Sequence, residues 1–338
     1  TLEKSGAATA EGLWGSSARA LAAACLQRRH SPVVLYCLAH INDAEDVRDE
    51  LAAFTDWPVE VFPAWETLPR EADVSDDILA GRLRLLKQLK ALRAATGAAH
   101  EGPPLIVVAP IQALLQPVPS PRHLDDNTLL LRVGDERDPE KLRAWLVERG
   151  FEPADLISQR GEFSMRGGIL DVYPPAAAMP HRIEFFGDSI ESIRTFDTAT
   201  QKSVGETREV AITFLPQGAV KPEATCNLLH YLPETTLTVW QDPLEVAELG
   251  RSFVARLASP VGIYEYDGLV RQRAAFPRLD LWSFAAAGEQ HARFTFRVES
   301  VQRFSGKVDR VRDELVQLAG ENRIWIFCDN QGERQRLD

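Results

Sequence analysis

Long apolar runs are missing from this sequence. No stretch approaches the roughly 18 to 20 uninterrupted apolar residues of a membrane helix, and the N-terminal TLEKSGAATAEG has no basic segment leading into an apolar one. A membrane span and a secretory leader are therefore not expected. Cysteine is scarce: Cys25, Cys37, Cys226 and Cys328 stand far apart, with neither the paired spacing of a zinc site nor the density of a disulfide framework. Buried thiols in a reducing cytoplasm are the expectation. Positive charge is in deficit, 38 Lys and Arg against 49 Asp and Glu, and the net −11 repels phosphate at long range. That balance argues against a surface that coats nucleic acid and leaves room only for local DNA contacts.

What remains is the composition of a globular protein: 338 residues, 45% hydrophobic and 26% charged, enough for roughly two or three domains. The chain opens without methionine and closes on QGERQRLD, which reads as a helix just starting, so a fragment of something longer is expected. From 16 to 115 helix and buried strand alternate, the pattern of a parallel sheet wrapped by helices. VVLYCLA, VEVFP and LIVVA read as strands. NDAEDVRDELAAF reads as a helix capped by Asn42 or Asp43, and DDILAGRLRLLKQL places Ile78, Leu79, Leu83, Leu86 and Leu89 on one helical face. The run PVPSP after Leu115 reads as a linker.

Beyond it the period changes. After strand TLLLRV and a helix that Asp138 caps, Pro139 opens and Gly150 ends, the runs GEFSMRGGILDVYPP, HRIEFFGD, SIESIRTFD and REVAITFLP are short, aromatic and β-branched, as antiparallel strands are. Past Pro216 the α/β rhythm returns with TTLTVW, a helix capped by Asp242 and opened by Pro243, a helix in SGKVDRVRDELVQL and a strand in IWIFC. An α/β pattern that stops, admits antiparallel strands and resumes predicts one α/β domain, in pieces 1–123 and 214–338, with an α+β domain inserted at 124–213.

The turn GLWGSSAR is the first place to seek chemistry, because a phosphate loop needs backbone N–H groups, a lysine for the β and γ charges, and a Ser or Thr for magnesium. Gly12 and Gly15 fit such a loop, but Ser17 replaces its third glycine, Ala18 falls on the lysine and Arg19 on the threonine. The turn reads first as a plain one capped by Ser16, and second as a phosphate loop that has lost its function. In VWQDPLEV, where such ATPases carry a metal-binding carboxylate pair, Gln241 cannot be the first carboxylate and Asp242 is explained as a helix cap. The SGK at 305–307 lacks an upstream glycine. The seven histidines stand alone, and paired acids such as Glu45 and Asp46 or Asp76 and Asp77 sit at helix starts, where the dipole favours them. No catalytic residue and no metal ligand is assigned.

In HRIEFF the period of two puts Ile183 and Phe185 on one face and Arg182, Glu184 and Phe186 on the other. An aromatic beside an arginine on a polar face suits the anchor of a protein–protein contact; equally, Phe186 can bend into a secondary core. Arg166, ahead of Gly167 and Gly168, sits at a hairpin or bulge where its side chain projects.

FPAWETLPRE, DDILAGRLRLL, RGEFSMRGGILDVYPP, RIEFFGDSIESIRTFD and YLPETTLTVWQDP together resemble the N-terminal UvrB-homology module of the bacterial transcription-repair coupling factors (Mfd), over most of the chain. The segments RGEFSMRGGILDVYPP and RIEFFGD are the specific ones, and both are shared with UvrB itself. The broken phosphate loop, and FPAWETLPRE where UvrB carries a tyrosine-rich DNA-clamping hairpin, favour the coupling factors. The resemblance implies a degenerate P-loop domain of helicase type, similar to UvrB domain 1, interrupted by a domain that binds UvrA. It implies no cofactor for this chain, and a parent protein whose ATP- and magnesium-dependent DNA translocase and RNA-polymerase contacts lie outside it. By motif position the UvrA-contacting residues fall on Arg166, Arg182 and Phe186. The alternatives are an ATP-dependent, UvrB-like half-enzyme and direct DNA binding.

Overall fold

A computed structural model describes residues 6–13, 18, 19, 21, 22, 31–65, 75–95, 104–215, 224–257, 262–284 and 292–298, and beyond them 316, 331, 332 and 335. Thr1–Arg297 form one compact unit and Val298–Asp338 a second. The helix expected in SGKVDRVRDELVQL (apart from Val316, which is helical), the strand IWIFC, Gly15 and Ser17 of the loop, the Ser16 cap, Cys25 and Cys328 lie outside the described residues.

Within the first unit the strands are β1 (Ala7–Glu11), β2 (Val33–Leu38), β3 (Val59–Val61), β4 (Leu105–Pro110), β5 (Val118–Pro119), β6 (Thr128–Arg132), β7 (Glu152–Pro153), β8 (Glu162–Arg166), β9 (Ile169–Val172), β10 (His181–Phe186), β11 (Ser189–Phe196), β12 (Ser203–Thr207), β13 (Glu209–Thr213), β14 (Thr225–Cys226), β15 (Leu237–Gln241), β16 (Arg278–Trp282) and β17 (Ala292–Thr295). Seven of them form one sheet in the order β17-β1-β16-β15-β2-β4-β3. Every pairing in it is parallel. Strands β2 and β4 are buried along their whole length, which is why VVLYCL and LIVVAP read as continuous apolar runs rather than alternating ones. The helices α1 (Ala44–Ala52), α2 (Asp76–Ala94) and α3 (Ile111–Leu115) follow β2, β3 and β4 in the chain. On α2, Leu83, Leu86 and Leu89 are buried with Leu85, while Ile78 and Leu79 are only half-buried.

The second sheet has the order β12-β11-β10-β9-β8-β7, antiparallel except for β7 with β8, and β6 pairs antiparallel with β13. Its core face, with Phe163, Leu170, Ile183, Phe185 and Ile193, packs with Leu142 and Leu146 of α5 (Pro139–Glu148) and Leu131, Val210 and Ile212 of β6 and β13. Asp138 caps α5 as its spacing predicts, accepting from the backbone N–H groups of Glu140 and Lys141.

Two local expectations change. The proline run is no free linker: β5 pairs with β14, and Ser120 caps α4 (Pro121–Asp126), which Pro121 opens. Proline fits there because a two-residue edge pairing and a first helical turn both tolerate a missing N–H. At 41–43 a 3-10 turn precedes α1, and the Asp43 side chain makes no capping bond, so neither Asn42 nor Asp43 acts as the expected cap.

Sequence reading also missed a buried arginine. Arg82 on α2 donates to the Pro63 carbonyl at 2.7 Å, to Gln116 Oε1 and to the Pro117 carbonyl, with its guanidinium 4.3 Å from the Phe62 ring centre. Burial pulls its pKa down to about 9. An Arg one step from an apolar stripe reads as a solvated face; only the packing of residues 62–65 over it reverses that.

Candidate functional site

The polar face of the six-stranded sheet is built by register. Ser164 pairs with Asp171 and Arg166 with Ile169 across β8 and β9. Arg182 pairs with Asp171 and Glu184 with Ile169 across β9 and β10. One row at the hairpin end therefore holds Arg166, Ile169 and Glu184, with Phe186 two residues beyond Glu184 on the same face. A deeper row holds Ser164, Asp171, Arg182 and, opposite Arg182 on β11, Arg194.

Two tight turns bring the outer row to an edge. Arg166 and Ile169 close a hairpin through Gly167 and Gly168, and Phe186 and Ser189 close another through Gly187 and Asp188. Gly167 has φ +58°, and a Cβ on Gly168 would stand 2.7 Å from the Phe185 carbonyl oxygen. The Phe185 N–H donates to the Gly168 carbonyl at 2.7 Å, tying the first hairpin to the start of the second, and the close approach leaves no room for a side chain at Gly168.

Phe186 at this edge is 77% exposed, which disposes of the secondary-core alternative. Arg166 is exposed too; its guanidinium donates to the Asp155 carbonyl and stands 3.9 Å from the Asp155 carboxylate. Arg182 differs. Its Nε and Nη2 each donate to Asp171 at 2.8 Å, Nη1 donates to the Gln201 carbonyl at 3.4 Å, and the guanidinium lies 4.8 Å from the Phe196 ring centre. The hydrogen bonds to Asp171 push its pKa further up. Beside it, Arg194 pairs with Glu184 at 2.6 Å. The structure thus brings Arg166, Arg182 and Phe186 onto one face, two of them exposed and the third tied to Asp171. Sequence reading left out Asp171, Ile169 and Leu156. Alternation in GGILDV signals two opposite faces, but which is outward depends on register.

At the loop after β1, Gly12 has φ +79°, and a Cβ there would lie 2.2 Å from the Phe296 carbonyl oxygen. Ala18 and Arg19 are helical. Ala18 is buried, and Arg19 pairs with Glu50 of α1 at 3.1 Å. At the end of β15, Gln241 Oε1 accepts from the Tyr36 hydroxyl at 2.9 Å. Asp242 holds the cap position of α6 (Pro243–Arg256), but in a left-handed conformation, φ 46°, and its side chain makes no capping bond. This corrects the explanation of Asp242 as a side-chain cap: its carboxylate instead accepts from the N–H and the hydroxyl of Ser283, both at 2.8 Å, joining the ends of β15 and β16.

Among the described residues no group of three or more His, Cys, Asp or Glu side chains could hold a metal ion, and no helix is long and apolar enough to cross a membrane. Cys37 and Cys226 are buried free thiols whose pKa burial pushes up to about 12.

Residues 129–216 match the family described as the UvrB interaction domain. The chain is similar to the transcription-repair-coupling factor of Mycobacterium bovis, 38% identical over 56% of this chain and 15% of that protein. It is similar to that of Escherichia coli, 29% identical over 76% of this chain and 21% of that protein, and to that of Bacillus subtilis, 32% identical over 65% and 18%. The matches thus span about a fifth or less of those relatives' length.

Proposed function

From the premise that this chain is a relative of the bacterial transcription-repair-coupling factors and carries a UvrB interaction domain, we propose that it is a non-catalytic docking module that recruits UvrA to lesions where RNA polymerase has stalled. The α/β part, 1–123 and 214–338, is the scaffold, a UvrB-domain-1-like fold with a degenerate ATP site; the docking domain is 124–213. Motor activity, ATP with magnesium, and the polymerase and DNA contacts belong to the rest of the parent protein.

The observation that carries this reading is that the exposed Phe186 and Arg166, at the turns of two hairpins, lie on the same face and the same end of the sheet inside the segment that matches the UvrB interaction domain. A large exposed aromatic next to a guanidinium is the usual anchor of a protein contact. Arg182, with its guanidinium committed to Asp171, Gln201 and Phe196, acts here by positioning β9 and β10. The test is titration of this chain with purified UvrA. Complex formation is expected, and Arg166→Ala with Phe186→Ala should weaken it at least tenfold, in line with about 2 kcal/mol or more for an anchor. No complex, or unchanged affinity in the double variant, counters the reading.

One observation favours a second reading, an ATP-dependent half-enzyme: Gly12 follows β1 in a left-handed conformation, and Ala18 and Arg19 beyond it are helical. Ala18, where a phosphate-binding lysine would stand, and Arg19 turned to Glu50 oppose it. Calorimetric titration with ATP and magnesium decides; no saturable heat is expected.

A further inference from the structure

The polar face of a sheet is not where apolar side chains are expected, yet Ile169 is 40% exposed there, and Leu156, just outside the β8 edge, is 61% exposed. Both adjoin the anchors. Ile169 pairs directly with Arg166 on one side and with Glu184 on the other, two residues from Phe186. Leu156 follows Asp155, whose carbonyl takes the Arg166 guanidinium. The chain before it runs along β8, with the Ala154 N–H donating to the Phe163 carbonyl at 2.9 Å. Ile169 and Phe186 thus share a face and a sheet end with Arg166, and Leu156 adjoins in sequence the residue whose carbonyl takes the Arg166 guanidinium.

The guanidiniums of this face differ in how they are matched. Arg182 holds Asp171 through two bonds of 2.8 Å and Arg194 holds Glu184 at 2.6 Å, whereas the Arg166 guanidinium stands 3.9 Å from a carboxylate that water reaches freely. Arg166 is therefore the cation most readily given to a carboxylate from outside. Resting on the docking role proposed above, we infer that Leu156 and Ile169 are further contact residues of the UvrA-binding surface. The surface fits a UvrA patch with an apolar hollow for Phe186, Ile169 and Leu156 and an acidic side chain at its border that displaces Asp155 from Arg166. Apolar neighbours of an anchor exclude water from the contact, and their truncation is felt in the dissociation rate.

The experiment is calorimetric and kinetic titration of the whole chain and its variants with purified UvrA. The Leu156→Ala, Ile169→Ala double variant is expected to bind about tenfold more weakly, mainly through faster dissociation. Ile169→Thr, which keeps the β-branch that suits a strand, should weaken binding in the same direction. Val204→Ala, an exposed position on β12, which pairs with the far end of β11, should bind as the parent does. Asp155→Asn should bind at least as tightly as the parent. If the parent binds and Phe186→Ala loses binding while the Leu156 and Ile169 variants do not, this inference is overturned and the docking role stands. Equal weakening by Val204→Ala also overturns it. If the parent does not bind UvrA, the docking role falls, and this inference with it.

Discussion

Replacing Asp171 with asparagine keeps the side-chain shape and removes the charge that holds Arg182. The pair is neither fully buried nor on open surface: the Arg182 side chain is 23% exposed and that of Asp171 15%, with two parallel bonds of 2.8 Å. Exposed pairs contribute about 0.2–1 kcal/mol, while removing one partner of a buried pair costs about 3–5 kcal/mol. Partial exposure and the acceptor that asparagine retains place Asp171→Asn at about 2 kcal/mol. Arg182→Gln should cost more, because it also removes the contact with the Phe196 ring, which contributes roughly 0.5–2 kcal/mol. The double variant should cost less than the two singles added, by about 1–2 kcal/mol of coupling. Urea unfolding of the four proteins gives the stability cycle, and UvrA titration of the same four gives the binding cycle. Additivity within about 0.5 kcal/mol in unfolding would refute the coupling. If Asp171→Asn left UvrA affinity unchanged while Arg182→Gln abolished it, Arg182 would be a direct contact and the positioning role would be wrong.

Two further outcomes follow from other parts of the fold. Lys87 on α2 donates to the Ala211 carbonyl at 3.3 Å, and burial lowers its pKa from 10.5 to about 8. The folded chain sheds that proton before the unfolded one does, so this group's contribution to stability rises between about pH 8 and 10. Unfolding midpoints across that range should rise less for Lys87→Met than for the parent, and an identical pH slope would remove Lys87 as the cause. Gly12→Ala combines a left-handed φ with a Cβ 2.2 Å from a backbone oxygen, and is expected to lower stability by at least about 2 kcal/mol. Thermal unfolding of that variant within a degree of the parent would show that the turn is looser than this geometry requires.

Continuous apolar runs mark β2 and β4 because both faces of a parallel strand are covered, and no partner need be known to see it. The Asp138-Pro139 start of α5 is equally local. Short-range pattern failed where a side chain's partner is remote in sequence. Asp242 sits where a cap belongs, but its carboxylate goes to Ser283, 41 residues away. Arg82 is legible only once residues 62–65 and 116–117 fold over it.

The sequence by itself determined the change of rhythm from α/β to antiparallel strands and back, and the alternation that sets Arg182 and Phe186 apart from Ile183 and Phe185. Periodicity is a property of consecutive residues, so it needs no tertiary contact. Which of those side chains meets solvent was decided only by the pairing of β8, β9 and β10. That register aligns Arg166 with Ile169 and Arg182 with Asp171. One arginine is thereby left at an open edge and the other tied inside an ion pair, a distinction between identical residue types that only the neighbouring strand can make.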